Sequence, residues 1–381
     1  MTKTAAAISG GVDSAVCAHL LQQAGHEVHG VMLQMICKES SLDADDAQAV
    51  CDRLGIPFHL LNKTQAFKEK VMLPFAHIYE SGGTPNPCVL CNKAVKFKYV
   101  LEFADENGFD KIATGHYVQT ENQNGRTLLK RAQYLEKDQS YMLYTLDQKT
   151  LKRCIFPLGT YTKTQIRALA EDAGLAISAK KDSQDICFVP NGKYAEVICR
   201  LTGKTYPPGR FVDESGRILG THKGIINYTI GQRRGLGLAL EQPMYVKCKD
   251  CAKNEVILAP ESALYTKALD AEHVNFIAFD KLEQPLKCTA KTRYSQKEEE
   301  ATVFQTGTDK IHVDFKNPQR AVTSGQSVVL FVGEYLLGGG TIFCSLQNDC
   351  PTWSAPHRCC GCTTTKKQAA HRRRSWLSWS A

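Results

Sequence analysis

The sequence predicts an α/β protein: a doubly wound parallel sheet, followed by a small central domain and a C-terminal β-barrel. The first 115 residues alternate short apolar runs with amphipathic helical patterns, which is typical of βαβ units. From Met244 onward, short segments of alternating polarity are separated by turns, which indicates antiparallel strands. The chain has 381 residues, more than the roughly 250 to 300 at which a single core stops growing, so we expect two or three domains.

The periodicity places the first elements in chain order. We expect strands at Thr4–Ile8, Glu27–Leu33, Pro57–Leu61 and Lys111–Thr114, and helices at Val12–Ala24, Asp43–Leu54, Gln65–Tyr79 and Asn92–Asn107. A loop rich in turn formers, SGGTPNPCVLC, separates the last two helices. Loops at the edge of an α/β sheet often carry binding and catalytic residues, so this loop is a candidate site.

The later elements suggest where the domains divide. Thr164–Ala173 has a helical pattern, and Gly174 is placed to end it. After Pro190, glycine and basic residues become frequent, and β-type segments then continue to Ile342, where they could form a barrel or a sandwich. We expect a catalytic domain at residues 1–192, a small central domain at 193–262, and a β-barrel at 263–342.

Residues 343–381 form an atypical tail that we expect to be poorly ordered. All three tryptophans and five of the sixteen cysteines lie there, without helical or strand periodicity. Six Lys or Arg and one Asp give the tail +5 of the net charge of +8. The other 342 residues carry only +3, so the overall charge is a weak indication of nucleic-acid binding.

Composition also excludes some classes of protein. No apolar run approaches the roughly 20 residues that span a bilayer, so a membrane protein is not expected. The first residues, MTKTAAAISGG, leave no room for a signal peptide, which favours the cytoplasm. In that reducing compartment, clustered cysteines indicate thiol chemistry or metal binding rather than structural disulfides.

The first chemical motif is the glycine-rich segment from Ser9 to Ser14, between a predicted strand and helix. Small residues let the backbone approach a phosphate, and the helix N-terminus supplies N–H groups and partial positive charge. The segment lacks the lysine of a Walker loop and the spacing of a dinucleotide-binding fingerprint. The sequence SGGVDS resembles the loop of ATP pyrophosphatases, which adenylate a substrate and release pyrophosphate.

Further motifs extend this resemblance along the chain, from about Ile8 to Ile342. They are Asn86–Lys93 (NPCVLCNK), Thr114–Tyr117 (TGHY), Lys137–Tyr141 (KDQSY), Asp182–Phe188 (DSQDICF) and Leu337–Gly340 (LGGG). Together they resemble the bacterial tRNA-uridine 2-sulfurtransferases, the MnmA/TrmU family. The resemblance implies adenylation of the C2 oxygen of a wobble uridine with ATP and Mg²⁺, then its replacement by sulfur.

The resemblance also assigns site residues. It places ATP at Ala7, Ile8, Ser9, Gly10, Gly11, Val12, Asp13, Ser14, Leu33 and Gly115. It makes Cys187 the persulfide carrier and Cys91 the nucleophile that releases the sulfur and forms a transient disulfide. Because Cys91 begins a predicted helix, we expect its pKa to be depressed, which would favour the thiolate.

One position departs from the family pattern. The family commonly has an aspartate, thought to handle protons at the target base, where this chain has Cys88. A cysteine is mostly protonated at neutral pH, so it does not replace a carboxylate. Cys88, Cys91 and Cys187 could instead hold a [4Fe-4S] cluster with one open iron. The persulfide route and the cluster route both stay open on the sequence.

The resemblance implies that tRNA of the Lys, Glu and Gln type is the substrate. The tRNA-facing positions would be Asn86, Pro87, Cys88, His116, Lys137, Asp138, Gln139, Arg293, Tyr294 and Gln326. A basic stretch suits RNA phosphates and consists of Lys204, Arg210, Lys223, Arg233 and Arg234. The wobble base must leave its stack to reach a buried thiol. A sulfur-relay protein or a cysteine desulfurase would donate the sulfur, and we expect a monomer.

Two other patterns have simpler explanations. Cys248 and Cys251 could form a zinc site with Cys88 and Cys91, but they lie in a predicted hairpin, where surface cysteines are expected. The aspartates between positions 43 and 46 suit the first turn of a helix. Two rival functions remain: an enzyme that adenylates a small amide or acid, against which the three cysteines argue, and a non-catalytic RNA-binding module.

Overall fold

A computed structural model of the protein describes residues 1–36, 42–179 and 186–345. Two parts of the sequence predictions lie outside these residues. They are positions 182–185, which begin the DSQDICF motif, and positions 346–381, which make up nearly all of the tail.

The N-terminal part is built on a five-stranded parallel sheet. Its strands are β1 (Lys3–Ala7), β2 (Glu27–Gln34), β3 (Phe58–Asn62), β4 (Lys111–Ala113) and β7 (Cys154–Ile155). They follow the order β3-β2-β1-β4-β7, and every neighbouring pair is parallel. In such a sheet all the strands end at the same edge, and ligands bind there. The predicted parallel sheet is confirmed.

Helices cover both faces of this sheet. On one face lie α1 (Val12–Gln23), α2 (Leu42–Leu54) and α8 (Lys163–Asp172), whose buried residues share a core with β1 and β2. On the other face lies α6 (Phe97–Glu106), which buries Phe97, Val100 and Phe103. The doubly wound architecture is therefore also confirmed. The helix predicted at Thr164–Ala173 is displaced by one residue, and Gly174 adopts a positive φ of 66° just after it.

Two long helices are each interrupted by one wide π-helical turn. The first comprises α3 (Thr64–Phe67), the π-turn Lys68–Met72 and α4 (Leu73–Glu80); the second comprises α5 (Pro87–Cys91), the π-turn Asn92–Lys96 and α6. The prediction that the second helix begins at Asn92 is wrong. It begins five residues earlier, because Asn86 caps it and Pro87 suits the first helical position.

The C-terminal part is a closed antiparallel barrel, as predicted. Its strands are β12 (Tyr265–Phe276), β13 (Leu286–Lys291), β14 (Glu299–Gly307), β15 (Lys310–Arg320), β16 (Ser327–Val332) and β17 (Tyr335–Ser345). Their order is β12-β15-β14-β13-β16-β17, and β12 pairs with β17 to close the circle. Closure leaves no free edge among these six strands.

A hairpin from the N-terminal part extends the barrel sheet, and the sequence predictions missed it. It consists of β5 (Val118–Gln123) and β6 (Arg126–Arg131), and β6 pairs with β17. Its turn is Asn124–Gly125, with φ values of 50° and 75°. Asn-Gly between alternating segments is the usual signal for such a turn. This pairing ties the first domain to the last by backbone hydrogen bonds.

A four-stranded sheet lies between these two parts in the chain. It contains β8 (Gly209–Asp213), β9 (Ile218–His222), β10 (Tyr245–Asp250) and β11 (Glu255–Ala259), with α9 (Tyr194–Thr202) before it and α7 (Gln148–Leu151) earlier in the chain. One apolar core joins Phe75 and Cys91 of the first domain with Phe211 and Val246 of this sheet. No helix in the described part of the chain is long and apolar enough to span a bilayer.

Candidate functional site

The glycine-rich loop between β1 and α1 is fixed by its own serines. The Ser9 backbone N–H donates to Ser14 Oγ at 3.1 Å, and Ser14 Oγ donates to the Gly11 carbonyl at 2.9 Å. Gly10 has a φ of 69°, and a Cβ there would lie 2.6 Å from the Asp43 carbonyl oxygen. Only glycine fits this position. The N-terminus of α1 is therefore shaped to receive a phosphate.

Asp13 of this loop contacts two side chains that the sequence predictions did not assign to the ATP site. Its Oδ1 accepts hydrogen bonds from Tyr117 Oη at 2.6 Å and from Lys163 Nζ at 2.7 Å. Lys163 is the first residue of α8, whose start is fixed by a capping box between Thr162 and Gln165. No local pattern signals Lys163, because 150 residues separate it from Asp13. The pair places a cation beside the phosphate loop.

The remaining residues predicted to bind ATP surround the loop. Ala7 ends β1, Ile8 and Val12 are buried, and Leu33 lies near the end of β2. Gly115 follows β4 and packs so closely that a Cβ on it would lie 2.9 Å from the Asp13 carbonyl carbon. The fold thus brings these predicted residues together at the carboxyl edge of the central strands.

The two cysteines of the NPCVLC motif occupy one helix at different depths. Asn86 Oδ1 accepts the Val89 N–H at 3.4 Å, which caps the helix. Cys88 lies in the first turn and is exposed, whereas Cys91 is only 6% exposed and its Sγ lies 3.8 Å from Met35 Sδ. The helix N-terminus therefore acts on Cys88 rather than on Cys91.

The expectation of a depressed pKa at Cys91 is wrong for the free protein. Burial raises the pKa of Cys91 to about 12, and the neighbouring Cys187 and Cys88 thiols add to the rise. Although part of Cys88 is exposed, the protein around its thiol raises its pKa too. The positive charge of Lys96 lowers both pKa values and is the opposing influence. Both thiols are therefore protonated at neutral pH in this state.

Lys96, whose charge acts on both thiols, ends the π-turn that follows Cys91. In a regular α-helix, five residues turn the chain by about 140° past a full circle, so residue 96 would point away from residue 91. Here the Phe97 N–H bonds to the Asn92 carbonyl, five residues back. This wider turn brings Lys96 round towards the face of the cysteines. The sequence predictions did not include Lys96.

Cys187 is exposed, and its buried neighbour Phe188 anchors the segment that carries it. Phe188 is 4% exposed and packs edge-on against Phe67 and Phe75, with ring centroids 5.6 and 5.1 Å away. Cys187 itself is exposed, and it is close enough to Cys91 for their thiols to interact electrostatically. The exposed Cys187 thiol is accessible to a sulfur donor, and it lies near the buried Cys91 thiol.

The cysteines do not form a metal-ligand set in this arrangement. Within residues 1–36, 42–179 and 186–345, no three His, Cys, Asp or Glu side chains gather closely enough to hold a metal ion. The three thiols as placed do not fit an iron–sulfur cluster. Cys248 and Cys251 do lie at a hairpin, but Cys248 is buried, so the expectation that both are at the surface is wrong for Cys248.

The barrel and the central sheet hold the loop that leads into α5. Gln326 Nε2 donates to the Thr84 and Pro85 carbonyls, both at 3.0 Å, and the Thr84 N–H donates to the Ser324 carbonyl at 2.9 Å. From the central sheet, Cys251 Sγ would lie 3.3 Å from a Cβ on Gly82. Three domains therefore meet at the loop before Cys88, and the Gln326 side-chain amide helps to hold it.

The other residues predicted to face tRNA are placed in two ways. The Asp138 carboxylate is buried and accepts the Ala132 N–H at 3.0 Å and Ser140 Oγ at 2.7 Å. Arg293 Nη2 donates to the Ala321 carbonyl at 2.8 Å, and burial lowers the pKa of this guanidinium. Tyr294, by contrast, is 40% exposed. Asp138 and Arg293 thus bind other parts of the protein in this state.

Three further residues that were predicted to contact RNA are half-buried. Lys137, Gln139 and His116 fall in this class. Gln139 Oε1 accepts the Tyr117 N–H at 3.0 Å, so Gln139 also supports the segment beside Asp13. The five residues of the basic stretch in the central domain are all exposed, namely Lys204, Arg210, Lys223, Arg233 and Arg234.

His116 gives a pH-dependent contribution to stability that can be measured. Burial, assisted by the charge of Lys96, lowers the pKa of His116 to about 3 from 6.5. Between these values the unfolded chain binds a proton and the folded protein does not, so stability falls as the pH falls below 6.5. Between pH 6.5 and 5, the wild type should therefore lose about 1–2 kcal/mol more of its free energy of unfolding than His116→Gln does.

Urea unfolding of both proteins at several pH values measures this difference. His77→Gln is the matched control, because the His77 side chain is 64% exposed. Equal pH slopes for the wild type and His116→Gln would contradict the assignment of a neutral, buried imidazole.

Family models match almost the whole described chain. Residues 2–191 match the tRNA methyl transferase HUP domain, residues 196–260 the tRNA methyl transferase PRC-barrel domain, and residues 266–342 the aminomethyltransferase beta-barrel domain. The three matches follow one another without overlap, in the order of the three sheets.

Curated relatives are similar over nearly their full length. A tRNA-specific 2-thiouridylase MnmA 2 of Clostridium botulinum (strain Loch Maree / Type A3) is 46% identical over 89% of this chain and 97% of its own. A tRNA-specific 2-thiouridylase MnmA of Acetivibrio thermocellus is 44% identical over 89% of this chain and 99% of its own. The tRNA-specific 2-thiouridylase MnmA of Clostridium beijerinckii is 44% identical over 89% of this chain and 98% of its own. This chain belongs to the MnmA family of tRNA-specific 2-thiouridylases.

Proposed function

We propose that this protein is an ATP-dependent tRNA-uridine 2-sulfurtransferase that adenylates the C2 oxygen of the wobble uridine and replaces it with sulfur. The observation that carries the proposal is the full-length similarity to 2-thiouridylases, at 42–46% identity. The placement of the residues supports it. A phosphate-binding loop and the cysteines Cys88, Cys91 and Cys187 belong to one catalytic domain.

In the adenylation step, the loop from Ser9 to Ser14 holds the phosphates of ATP at the N-terminus of α1. The uridine oxygen attacks the α-phosphorus, the bond to the β-phosphate oxygen breaks, and pyrophosphate leaves. Lys163 Nζ, already 2.7 Å from Asp13, is placed to offset charge on the leaving group. Adenosine contacts would come from Ala7, Ile8, Leu33 and Gly115.

Mg²⁺ fits this site as an ion that binds together with ATP rather than as one that the protein holds by itself. Mg²⁺ is commonly held by one or two carboxylates together with substrate phosphates and water. The described residues offer no three-ligand group, which suits an ion that arrives with the nucleotide. Asp13 is the carboxylate we assign to it. The ion would neutralise charge on the phosphates while Lys163 remains nearby.

In the sulfur step, Cys187 carries a persulfide received from a sulfur-relay protein or a cysteine desulfurase. The Cys91 thiolate attacks the Cys187 sulfur, a Cys91–Cys187 disulfide forms, and hydrosulfide leaves with the bonding pair. The hydrosulfide attacks C2 of the adenylated base, the C2–O bond breaks, and AMP departs. A thiol reductant then supplies two electrons to restore both cysteines.

The raised pKa of Cys91 means that this thiol must be activated. At neutral pH it is protonated in the free protein, so it does not react prematurely. The charge of Lys96 lowers the pKa of both Cys88 and Cys91. We assign to Lys96 the stabilisation of the Cys91 thiolate once substrate is bound.

The other domains would serve tRNA binding. We propose that residues 1–192 catalyse, that 193–262 contact tRNA through the basic stretch, and that the barrel at 263–342 supports the loop before Cys88. The target base would meet Asn86, Pro87 and Cys88 after leaving its stack. Other contacts would come from His116, Lys137, Asp138, Gln139, Arg293, Tyr294 and Gln326. We propose a monomer that acts in the cytoplasm, where tRNA of the Lys, Glu and Gln type is available.

Pyrophosphate release tests the function directly. The protein is mixed with ATP, Mg²⁺ and an anticodon stem-loop that contains the wobble uridine, with a cysteine desulfurase and cysteine as the persulfide source. Pyrophosphate is assayed, and 2-thiouridine is measured by mass spectrometry. Pyrophosphate release should depend on the RNA. Release that requires a small amide or acid instead, or binding of RNA without any release, would favour one of the two rival functions.

Cys88 distinguishes the two sulfur routes. We expect Cys88→Asp to retain thiolation within about tenfold or to improve it, because a carboxylate is ionised at neutral pH and suits proton transfer at the base. Cys88→Ala is the matched variant, because it removes the thiol without adding a carboxylate. Iron and sulfide are assayed in each anaerobically purified protein. An iron-loaded wild type that loses its activity with its iron would contradict the persulfide route.

A further inference from the structure

Three lysines from separate elements converge on one aromatic ring. The ammonium of Lys63 lies 4.4 Å from the centroid of the Tyr99 ring, that of Lys70 lies 5.6 Å away, and that of Lys98 lies 5.7 Å away. Lys63 precedes α3, Lys70 belongs to the first π-turn, and Lys98 and Tyr99 belong to α6. We call these four residues the Tyr99 lysine cluster.

The cluster carries excess positive charge in a small area. Lys63 and Lys70 are half-buried, and Lys98 is 43% exposed. Within the described ranges of the chain, the carboxylate in ion-pair contact with the cluster is Glu102, 3.6 Å from Lys98. Three positive charges around one ring, with one neighbouring carboxylate in the part of the chain that the structure describes, would attract a bound anion. The Tyr99 ring helps to hold these charges, because its face attracts cations.

The cluster lies on the side of the sheet where the reaction takes place. Lys63 follows the carboxyl end of β3, and the phosphate loop follows the carboxyl end of β1 in the same parallel sheet. Tyr99 also packs against the apolar core that contains Cys91 and Phe188. The cluster therefore lies beside the site that the target base would enter, which favours RNA over an acidic protein as the occupant.

We propose that the Tyr99 lysine cluster binds backbone phosphates of the substrate RNA next to the nucleotide that enters the active site. This inference rests on the proposed function and adds a binding surface to it. Lysine ammoniums bind phosphates as point charges and carry no base specificity. The cluster would therefore fix the position of the RNA strand without selecting its sequence.

The salt dependence of RNA binding tests the proposal. The affinity of the full-length protein for the anticodon stem-loop is measured between 50 and 300 mM KCl. In the triple variant Lys63→Gln, Lys70→Gln, Lys98→Gln, we expect the slope of log affinity against log salt to fall by about 2, since each lost phosphate contact removes roughly 0.7 to 0.9. The triple variant with arginine at the same positions should keep the wild-type slope.

A second triple variant controls for net charge. Lys3, Lys111 and Lys152 lie at the opposite, amino edge of the sheet, and Lys3 also sits over an aromatic ring, that of Phe109, at 4.5 Å. Their replacement by glutamine removes the same charge and should leave the slope unchanged. Circular dichroism and melting temperature verify that each variant is folded.

The possible results separate the inference from the function on which it rests. An unchanged slope in the Lys63, Lys70 and Lys98 variant, with wild-type RNA binding intact, would overturn the phosphate surface alone. An unchanged slope combined with slower persulfide transfer from a cysteine desulfurase would also overturn it, in favour of a protein-docking surface. Absence of RNA binding by the wild type would instead remove the proposed function.

Discussion

Asp13→Ala should reduce tRNA-dependent pyrophosphate release by roughly 10²- to 10³-fold, the usual cost of losing one electrostatic group at a reacting centre. Asp13 anchors Lys163 beside the phosphate loop and is the carboxylate assigned to Mg²⁺. Removing it leaves Lys163 without this partner and the ion without a protein ligand. RNA affinity should stay within about twofold, because the proposed RNA contacts lie on other elements.

Two comparisons make the Asp13 result specific. Asp13→Asn keeps the shape of the side chain and removes its charge, so it isolates the electrostatic part of the effect on pyrophosphate release. Asp105→Ala is the matched control, since Asp105 forms an ion pair with Arg153 at 2.8 Å in the same domain but away from the loop. That variant should lose little activity and, for an exposed pair, at most about 1 kcal/mol of stability. Normal pyrophosphate release from Asp13→Ala would rule out our assignment of the loop.

Cys91→Ser should reduce 2-thiouridine formation by at least roughly 10³-fold, as expected when a nucleophile is removed. A hydroxyl cannot attack the persulfide to form a disulfide, so hydrosulfide is not released. Adenylation does not use this thiol, so RNA-dependent pyrophosphate release should continue. The measured signature is therefore a split between the two half-reactions, which a folding defect would not produce.

The disulfide itself can be detected in the same experiment. After one turnover without reductant, peptide mapping of the wild type should find Cys91 linked to Cys187. Cys199→Ser is the control, because Cys199 is a half-buried free cysteine of α9, in the central domain. Undiminished thiolation by Cys91→Ser would mean that another group releases the sulfur.

Local patterns were sufficient for much of the fold and part of the site. The alternation of apolar strands with amphipathic helices predicted the parallel sheet, because each strand and helix buries one side in that arrangement. The segment from Ser9 to Ser14 predicted a phosphate loop, because its small residues and its place before a helix are local properties. The alternating segments predicted antiparallel strands, but they left a barrel and a sandwich equally open.

Some errors had local signals that could have corrected them. Asn86–Pro87 is a helix-start signal that places the beginning of the helix five residues before Asn92. Cys91 then lies in the second turn of the helix rather than just before it. Asn124–Gly125 is a hairpin signal. Recognising it would have predicted β5 and β6, although not their pairing with the barrel.

Other features depend on residues distant in sequence, and only the tertiary structure decided them. The Asp13–Lys163 contact, the support of the Thr84 loop by Gln326 and the Tyr99 lysine cluster each join elements from different parts of the chain. The pKa of Cys91 is raised, rather than depressed as the sequence predicted, for the same reason. Its helix position is local, but its burial is set by packing, and the loss of hydration outweighs the charge of Lys96.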